Sequence, residues 1–415
     1  MFVLIGFCVL IFICSALFVT YFYLKNPEFI VYSYTVLLLT SILKKIPDYL
    51  VVSNSILIFC YFLGITFILH FFGKVKKYSF KYVYLVYCSL FLILCLRTFI
   101  LEIEFFNQNT SLIIILIFYI HILFSFIDSY KKFENILHSI AIAQVILIVG
   151  VLYNFIFDPL SQHQIAANTI RASTMGLNVN VLASTLALNV PVLIYIKKKY
   201  TKHKNINLIL NASIILSIIS ILLTLSRAGL VYLVFLFIFY IGGTVKRFVV
   251  ALCIVSSLTI YIFFVSDLTS KYHSIYRLST IFVFEKNDRT NILKPYLKII
   301  NQNKLFGRLT IDDVNRYFNA DEIYNFTASH NSYVGLSYSY GIPFAIFYFL
   351  PLILTFRMKM NDIFIRKMIT SMVIMIFLIS LTGHNYIHIM FFLPFLIASK
   401  LIELDYKKNI MLNNT

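Results

Sequence analysis

The chain has 415 residues, 60% of them hydrophobic and 13% charged, with a mean hydropathy of +0.88. Soluble domains carry roughly a quarter charged residues, so this composition excludes a soluble protein and implies an all-α polytopic membrane protein of about 12 transmembrane helices. The net charge of +18, from 35 Lys+Arg against 17 Asp+Glu, does not signal nucleic acid, because the basic residues sit in short clusters between apolar runs.

In chain order, apolar runs bounded by charge predict spans at 2–24, 29–43, 49–72, 82–101, 110–127, 136–157, 175–196, 206–225, 228–245, 248–265, 333–356, 368–383 and 386–402. The first lacks a basic n-region and a small-residue cleavage site, and reads as a retained span or anchor. Cys8, Cys14, Cys60, Cys88, Cys95 and Cys253 all lie in apolar runs with no CxxC or Cys/His ligand spacing, as small buried hydrophobes do. Trp is absent, which leaves the 29 Tyr to supply most of any aromatic interface belt. Three regions follow: N-terminal spans over 1–157, a region 158–402 that includes the long polar stretch 266–332, and a cytoplasmic tail 403–415. No internal two-halves repeat is evident.

The basic clusters assign sides. Lys74/Lys76/Lys77/Lys81, Lys131/Lys132, Lys197/Lys198/Lys199/Lys202/Lys204, Lys246/Arg247 and Arg357/Lys359/Arg366/Lys367 fall on alternate loops, which makes that side cytoplasmic, along with Lys407 and Lys408. Lys44 and Lys45 fall on the other side, so twelve and thirteen spans are both open. The outer side receives the loop 158–174, the turn at Ser226-Arg227, the loop 266–332 and the turn Gly383-His384-Asn385. Nearly every polar residue suited to chemistry is therefore expected on one face.

Arg227 lies between two apolar runs with almost no loop. An Arg in hydrocarbon costs about 2.5–3.5 kcal/mol on insertion scales, so it either snorkels to the interface or faces a polar cavity, where its planar fork matches phosphate oxygens. Arg171 closes a polar stretch, and the following span carries Asn178 and Asn180, suited to substrate contact or to helix–helix hydrogen bonding. In the long loop, Ile292, Leu293, Tyr296, Leu297, Ile299 and Ile300 recur at helical spacing and predict an amphipathic helix on the outer surface. Arg289 at its start can reach a bound anion or pair with Asp288; Arg308 and Arg316 are weaker candidates. His330, with an ordinary pKa of about 6.5, is the best proton acceptor if it is more than a loop polar residue. Asn331 beside it can orient a ligand, and His384 is similarly placed. Asp312-Asp313 could bind a divalent cation or be solvated.

Three cations and one base on a single face beside lipid suit a lipid-linked diphosphate. Cations hold the charge that grows on the leaving group and a base activates the attacking hydroxyl. No Walker A loop and no Rossmann glycine fingerprint occur.

These residues resemble the O-antigen ligase and O-antigen polymerase superfamily of bacterial membrane glycosyltransferases. Ser226-Arg227-Ala228-Gly229 looks like that family's Arg site. Arg289, Ile299-Ile300-Asn301 and Leu305-Phe306-Gly307 are similar to its loop helix, and His330-Asn331 followed after nine residues by Gly341 matches its His-Asn-x9-Gly spacing. Met175 to Asn180 resembles its Asn-bearing span. The likeness covers residues 165–390 or thereabouts, and departs at Phe344, where ligases often have a small or hydroxyl residue.

The resemblance implies transfer of a glycan from undecaprenyl diphosphate to a sugar hydroxyl at the periplasmic face of the bacterial inner membrane, with inversion and without metal or other cofactor. It further implies diphosphate binding by Arg227 and Arg289, with His330 as base or acceptor-orienting group; Arg171 joins them from topology alone. The partners expected are the undecaprenyl-diphosphate-linked donor, a glycan or lipid A-core acceptor and membrane lipids, and no nucleic acid. A polymerase is favoured over a lipid A-core ligase by Phe344 and by the richness in Phe, Tyr and Ile. The alternative is a lipid-linked oligosaccharide flippase or transporter, which predicts ionisable residues at mid-span; His121 is about the only clear one.

Overall fold

The computed structural model describes residues 20–40, 108–157, 174, 178–224, 226–241, 296–298, 300–302, 304–307, 331–382 and 391–413, with isolated positions between 64 and 95. Among the described residues every regular element is a helix. These are α1 Glu28–Thr40, α2 Gln108–Phe126, α3 Tyr130–Phe157, α4 Val179–Lys199, α5 Lys204–Leu223, α6 Arg227–Ile241, α7 Ser332–Tyr340, α8 Ile342–Arg357, α9 Ile363–Thr382 and α10 Leu393–Asn413. The span expected at 248–265 lies outside the described residues, that at 2–24 is described only over 20–24, which are helical, and those at 49–72 and 82–101 are described only at scattered helical positions.

α5 shows the solvent for which this chain is built. Its buried face carries Leu210, Ser213, Ser217, Ser220 and Ile221, at helical spacing, while Leu208, Ile209, Ile215 and Leu222 are exposed. In water that arrangement would be inverted; against lipid tails it costs nothing to expose Leu and Ile, and Ser213 and Ser217 satisfy themselves within the helix. Ser213 and Ser217 donate to the carbonyls of Ile209 and Ser213 at 2.9 and 2.7 Å. α3 likewise exposes Ile142, Val149, Tyr153 and Ile156. Four helices, Tyr130–Phe157, Val179–Lys199, Lys204–Leu223 and Ile363–Leu381, have the length and apolarity to cross a membrane. The protein is a multi-pass membrane protein.

α4 is the axis of the described bundle, packed by α3, α5, α6 and α9. Ala183 and Ala187 keep its surface low, so its neighbours approach closely, and nearly all of its length is buried. Mid-bundle, three helices are tied by amides: Gln144 of α3 donates to the Leu186 carbonyl at 3.0 Å and to Ser217 Oγ at 2.8 Å, and its own Oε1 accepts from Asn189 Nδ2 at 3.1 Å. All three polar side chains are fully buried.

Helix ends depart from the expected spans where capping or charge is at work. α9 starts at Ile363 rather than 368, because Asp362 Oδ1 accepts from the amides of Phe364 at 2.7 Å and Ile365 at 3.2 Å. α3 begins six residues before the expected 136, its first turn held by Lys132 to Glu28 at 3.6 Å and to Asp128 at 3.3 Å. α10 runs on to Asn413, past the expected 402, with Lys400, Glu403 and Lys407 paired along one face. The span expected at 333–356 is two helices, α7 and α8, broken at Gly341. Pro343 has no amide hydrogen for a continuous helix and Gly341 takes φ 90°.

The bundle has two chemically different ends. The start of α3 meets the end of α4 through Glu134 and Lys199, and α10 through Tyr130 and Asp405. Lys198 of α4 lies over the Phe364 ring at the start of α9. Lys131, Lys132, Lys197 to Lys199, Lys202, Lys204, Arg366 and Lys367 therefore gather at one end. The starts of α4 and α6 lie at the other.

Candidate functional site

The start of α6 is built by the segment Thr224 to Gly229. Ser226 is its N-cap: the hydroxyl oxygen accepts from the Gly229 amide at 3.2 Å, and the Ser226 carbonyl accepts from the Leu230 amide at 3.1 Å. Thr224 Oγ1 accepts in turn from the Ser226 amide at 3.3 Å. Arg227 is thereby the first helical residue of α6, at the end where unpaired amides and the helix dipole favour negative charge. Gly229 sets the approach of the helices. A Cβ there would sit 3.0 Å from Ile221 Cγ2 and 3.1 Å from Ala183 Cβ.

α4 starts beside it. Asn178 is the N-cap of α4, its Oδ1 accepting from the Asn180 amide at 2.9 Å. Asn180 Oδ1 accepts from the Ser226 hydroxyl at 2.9 Å. Ser226 is 1% exposed, so this single hydroxyl both caps α6 and ties it to α4 in a buried position. Two parallel helices consequently present their amide ends side by side. Thr174, just before α4, is buried against Gly150 of α3 and closes the same end.

α7 brings a third start to this end. Asn331 caps it, Oδ1 accepting from the amides of Tyr333 at 2.9 Å and Val334 at 3.1 Å. The Tyr333 hydroxyl donates to the Phe377 carbonyl at 3.4 Å, near the end of α9 remote from Lys198. The nine residues between Asn331 and Gly341 are helix α7 itself. The His-Asn-x9-Gly spacing is therefore a physical unit, one short helix with an amide cap at its start and a glycine stop at its end.

The break after α7 is where the long loop docks. The Ile342 amide, freed from a continuous helix, donates to the Lys304 carbonyl at 2.8 Å. Gly307, at φ 65°, and Gly341 meet backbone to backbone: a Cβ on Gly341 would lie 2.1 Å from the Leu305 oxygen, and one on Gly307 2.5 Å from the Gly341 nitrogen. Only glycine fits at either position. Of the expected loop helix, residues 296–298 and 300–302 are helical, with Tyr296 and Ile300 buried and Leu297 exposed. The Tyr296 ring meets that of Tyr338 at 4.9 Å and 78°, and burial raises the Tyr296 phenol pKa, keeping it neutral. The helix is amphipathic, and its apolar side rests on α7.

Of the residues singled out in the sequence, Asn178, Asn180 and Asn331 are described, each holding a helix start or a helix pair. Arg227 is placed by its backbone. Arg171, Arg289, Arg308, Arg316, Asp312-Asp313, His330 and His384 lie outside the described residues; His330 immediately precedes the Asn331 cap in the chain. Among the described residues no group of His, Cys, Asp and Glu is arranged to hold a metal ion. Phe344 is buried between Tyr340 and Tyr348, its ring 4.7 and 6.1 Å from theirs. Sequence reasoning named Ser226 without assigning it a role, although a hydroxyl at the head of an apolar run is a helix-cap pattern. It missed the Gln144–Asn189–Ser217 tie, for which three residues on three helices leave no sequence signal.

This architecture defines a multi-pass helical membrane protein with the capped starts of α4, α6 and α7 at one end and, among the described residues, the lysine cluster of α3, α4 and α9 at the other. Residues 212–349 match the family model described as O-antigen ligase, and this segment, about a third of the chain, is similar to that family. The match runs from α5 to α8 and takes in Ser226 to Gly229, Arg289, His330-Asn331, Gly341 and Phe344. Arg171, Asn178, Asn180 and His384 lie outside it. No curated protein matches the chain. The matched segment supports a general role in glycan transfer, with a lipid-linked glycan and an acceptor as substrates in general terms.

Proposed function

We propose that the protein transfers a glycan from undecaprenyl diphosphate to a sugar hydroxyl in surface polysaccharide biosynthesis, as a bacterial inner-membrane enzyme with its site on the periplasmic face. The observation that carries this reading is the tie between the α4 and α6 starts, with Arg227 on the first residue of α6 and the α7 start at the same end of the bundle, remote from the lysine cluster of α3, α4 and α9. Aligned amide ends and a guanidinium fork hold a diphosphate dianion, and the positive-inside rule puts the lysine end in the cytoplasm.

In this mechanism Arg227 and Arg289 bind the diphosphate, with Arg171 adding charge from the loop before α4. His330 takes the proton of the acceptor hydroxyl as its oxygen attacks the anomeric carbon from the face opposite the leaving group. The bond from that carbon to the diphosphate oxygen breaks, the configuration inverts, and undecaprenyl diphosphate leaves with the electron pair, its charge met by the arginines. Asn178, Asn180 and Asn331 keep the helix starts in place around the substrates, and His384 is a further substrate-binding residue.

Polymerase is favoured over lipid A-core ligase by Phe344, whose buried ring fills a position where ligases often carry a small or hydroxyl residue. Deletion of the gene followed by a gel of surface glycan tests the reading. One repeat left on the core is the expected result. Bare core with lipid-linked polymer accumulating would make the protein a ligase, and loss of both with repeats trapped inside would make it a flippase. Complementation with Arg227→Ala or His330→Ala should fail although the protein inserts normally; full complementation by both would overturn the site.

A further inference from the structure

The lysine end contains a cleft that the glycan-transfer reading does not use. It lies between the last turns of α4 and the starts of α9, with the far part of α6 as its third wall, and is lined by Pro191, Ile194, Tyr195, Lys198, Tyr240 and Lys367 among others. It is a shallow cleft, with about 210 Å³ of space between its walls once the part open to solvent is counted. Its two cations are held by rings. Lys198 Nζ lies 4.3 Å from the centre of the Phe364 ring, and Lys367 Nζ lies 5.2 Å from Tyr240 and 5.5 Å from Phe239. Among the described residues neither lysine is paired with a carboxylate. The nearest acids are engaged elsewhere: Glu134 pairs with Lys199, and Asp362 caps α9.

The surroundings of the cleft are those of a membrane interface. Ile363 and Phe364 beside it are 71% and 47% exposed, although both are large and apolar. The Tyr240 hydroxyl is fixed to Ser371 Oγ at 2.9 Å, so the wall below the lysines is rigid and presents an aromatic face. Lys197, Lys202, Lys204 and Arg366 add positive potential at the same end of the bundle. A ligand matched to this site carries an anionic phosphate for the two ammonium groups and an acyl chain for the apolar walls beneath them.

We propose that this cleft is a binding site for an anionic phospholipid headgroup, seated between Lys198 and Lys367 at the end of the bundle remote from Arg227. Free phosphate supplies the same charge without the chain. Ring-held lysines need no rearrangement to accept the headgroup, since a cation over a ring still directs its remaining N–H bonds outward.

The test uses the full-length protein purified in detergent and titrated with phosphatidylglycerol or phosphatidylcholine, bound lipid being read by native mass spectrometry. Saturable retention of phosphatidylglycerol over phosphatidylcholine is expected. Lys198→Gln with Lys367→Gln should weaken it about ten-fold or more, whereas Lys202→Gln with Lys204→Gln, equal in charge change but outside the cleft, should leave it within about two-fold. Lys198→Arg with Lys367→Arg should retain it, which separates lost charge from a misfolded end. Equal weakening by both glutamine pairs would overturn the site in favour of diffuse attraction to a basic surface. Equal retention of phosphatidylcholine, or displacement by millimolar inorganic phosphate, would also overturn it, the latter showing a site for free anion.

Discussion

The two ends of the bundle use polar residues in opposite ways. At the Asn180 end they are short amides and hydroxyls, Asn178, Asn180, Ser226 and Asn331, each bound to backbone or to another helix. At the Lys198 end they are long cations, several of them paired only at the surface, as Lys199 is with Glu134. Short capping groups fix helix starts and hold their amide ends in place, as a site for a charged group requires. Long exposed cations supply potential without fixed geometry. Removing a residue from the first end should therefore damage geometry, and removing an exposed cation such as Lys199 from the second only charge.

The largest effect is expected at Arg227. Arg227→Ala removes a positioned donor and should lower glycan transfer by about 10²–10³-fold, measured as polymer formed in membranes at equal protein level. Arg227→Lys should recover little of it, because an ammonium lacks the planar fork. A lysine variant with near-normal transfer would mean that the residue acts as bulk charge, and the contrast between the ends would lose its basis.

Gly341→Ala comes next. The new Cβ would meet the Leu305 oxygen in a backbone region closed to alanine, and strain of about 1–3 kcal/mol should detach the loop segment 304–307 from the α7–α8 corner. Faster proteolytic cleavage of the long loop, with thermal unfolding of the bundle little changed, is the expected readout. Gln144→Leu keeps side-chain volume but removes the tie among α3, α4 and α5, and should cost about 1–2 kcal/mol in a detergent unfolding assay.

Ser226→Ala should cost about 1 kcal/mol from the cap alone, with transfer reduced further because Asn180 loses its partner. Asn180→Ala combined with Ser226→Ala should then be less harmful than the sum of the two, which a double-mutant cycle measures. Strict additivity would mean that the 2.9 Å bond between them carries no energy. Lys199→Ala gives the smallest effect, below about 1 kcal/mol, because its pairing with Glu134 is exposed and screened. A large loss there would show that the lysine end is built as tightly as the other.

Much of the bundle was legible in the chain because lipid imposes a strong rule: a run of apolar residues long enough to span must be helical, since no water can satisfy its backbone. α3, α4, α5 and α9 follow from that rule. Their ends do not, because Asp362 and Ser226 extend or start helices by single side-chain bonds that hydropathy averages away. The stretch 333–356 was misread as one span for the same reason. Its composition is uniformly apolar, and the break depends on Gly341, Pro343 and the loop backbone that receives the Ile342 amide.

The site divides along the same line. The residue types, their order and the nine-residue interval from Asn331 to Gly341 are properties of the sequence, and they were enough to reach a family and a class of chemistry. That the interval is a helix, that Leu305-Phe306-Gly307 closes on its far end, and that Ser226 holds α6 to α4 through Asn180 were decided by tertiary structure. The reason is distance along the chain: these contacts join residues tens of positions apart, and no local preference records which partner a hydroxyl, an amide or a glycine will meet once the helices have packed.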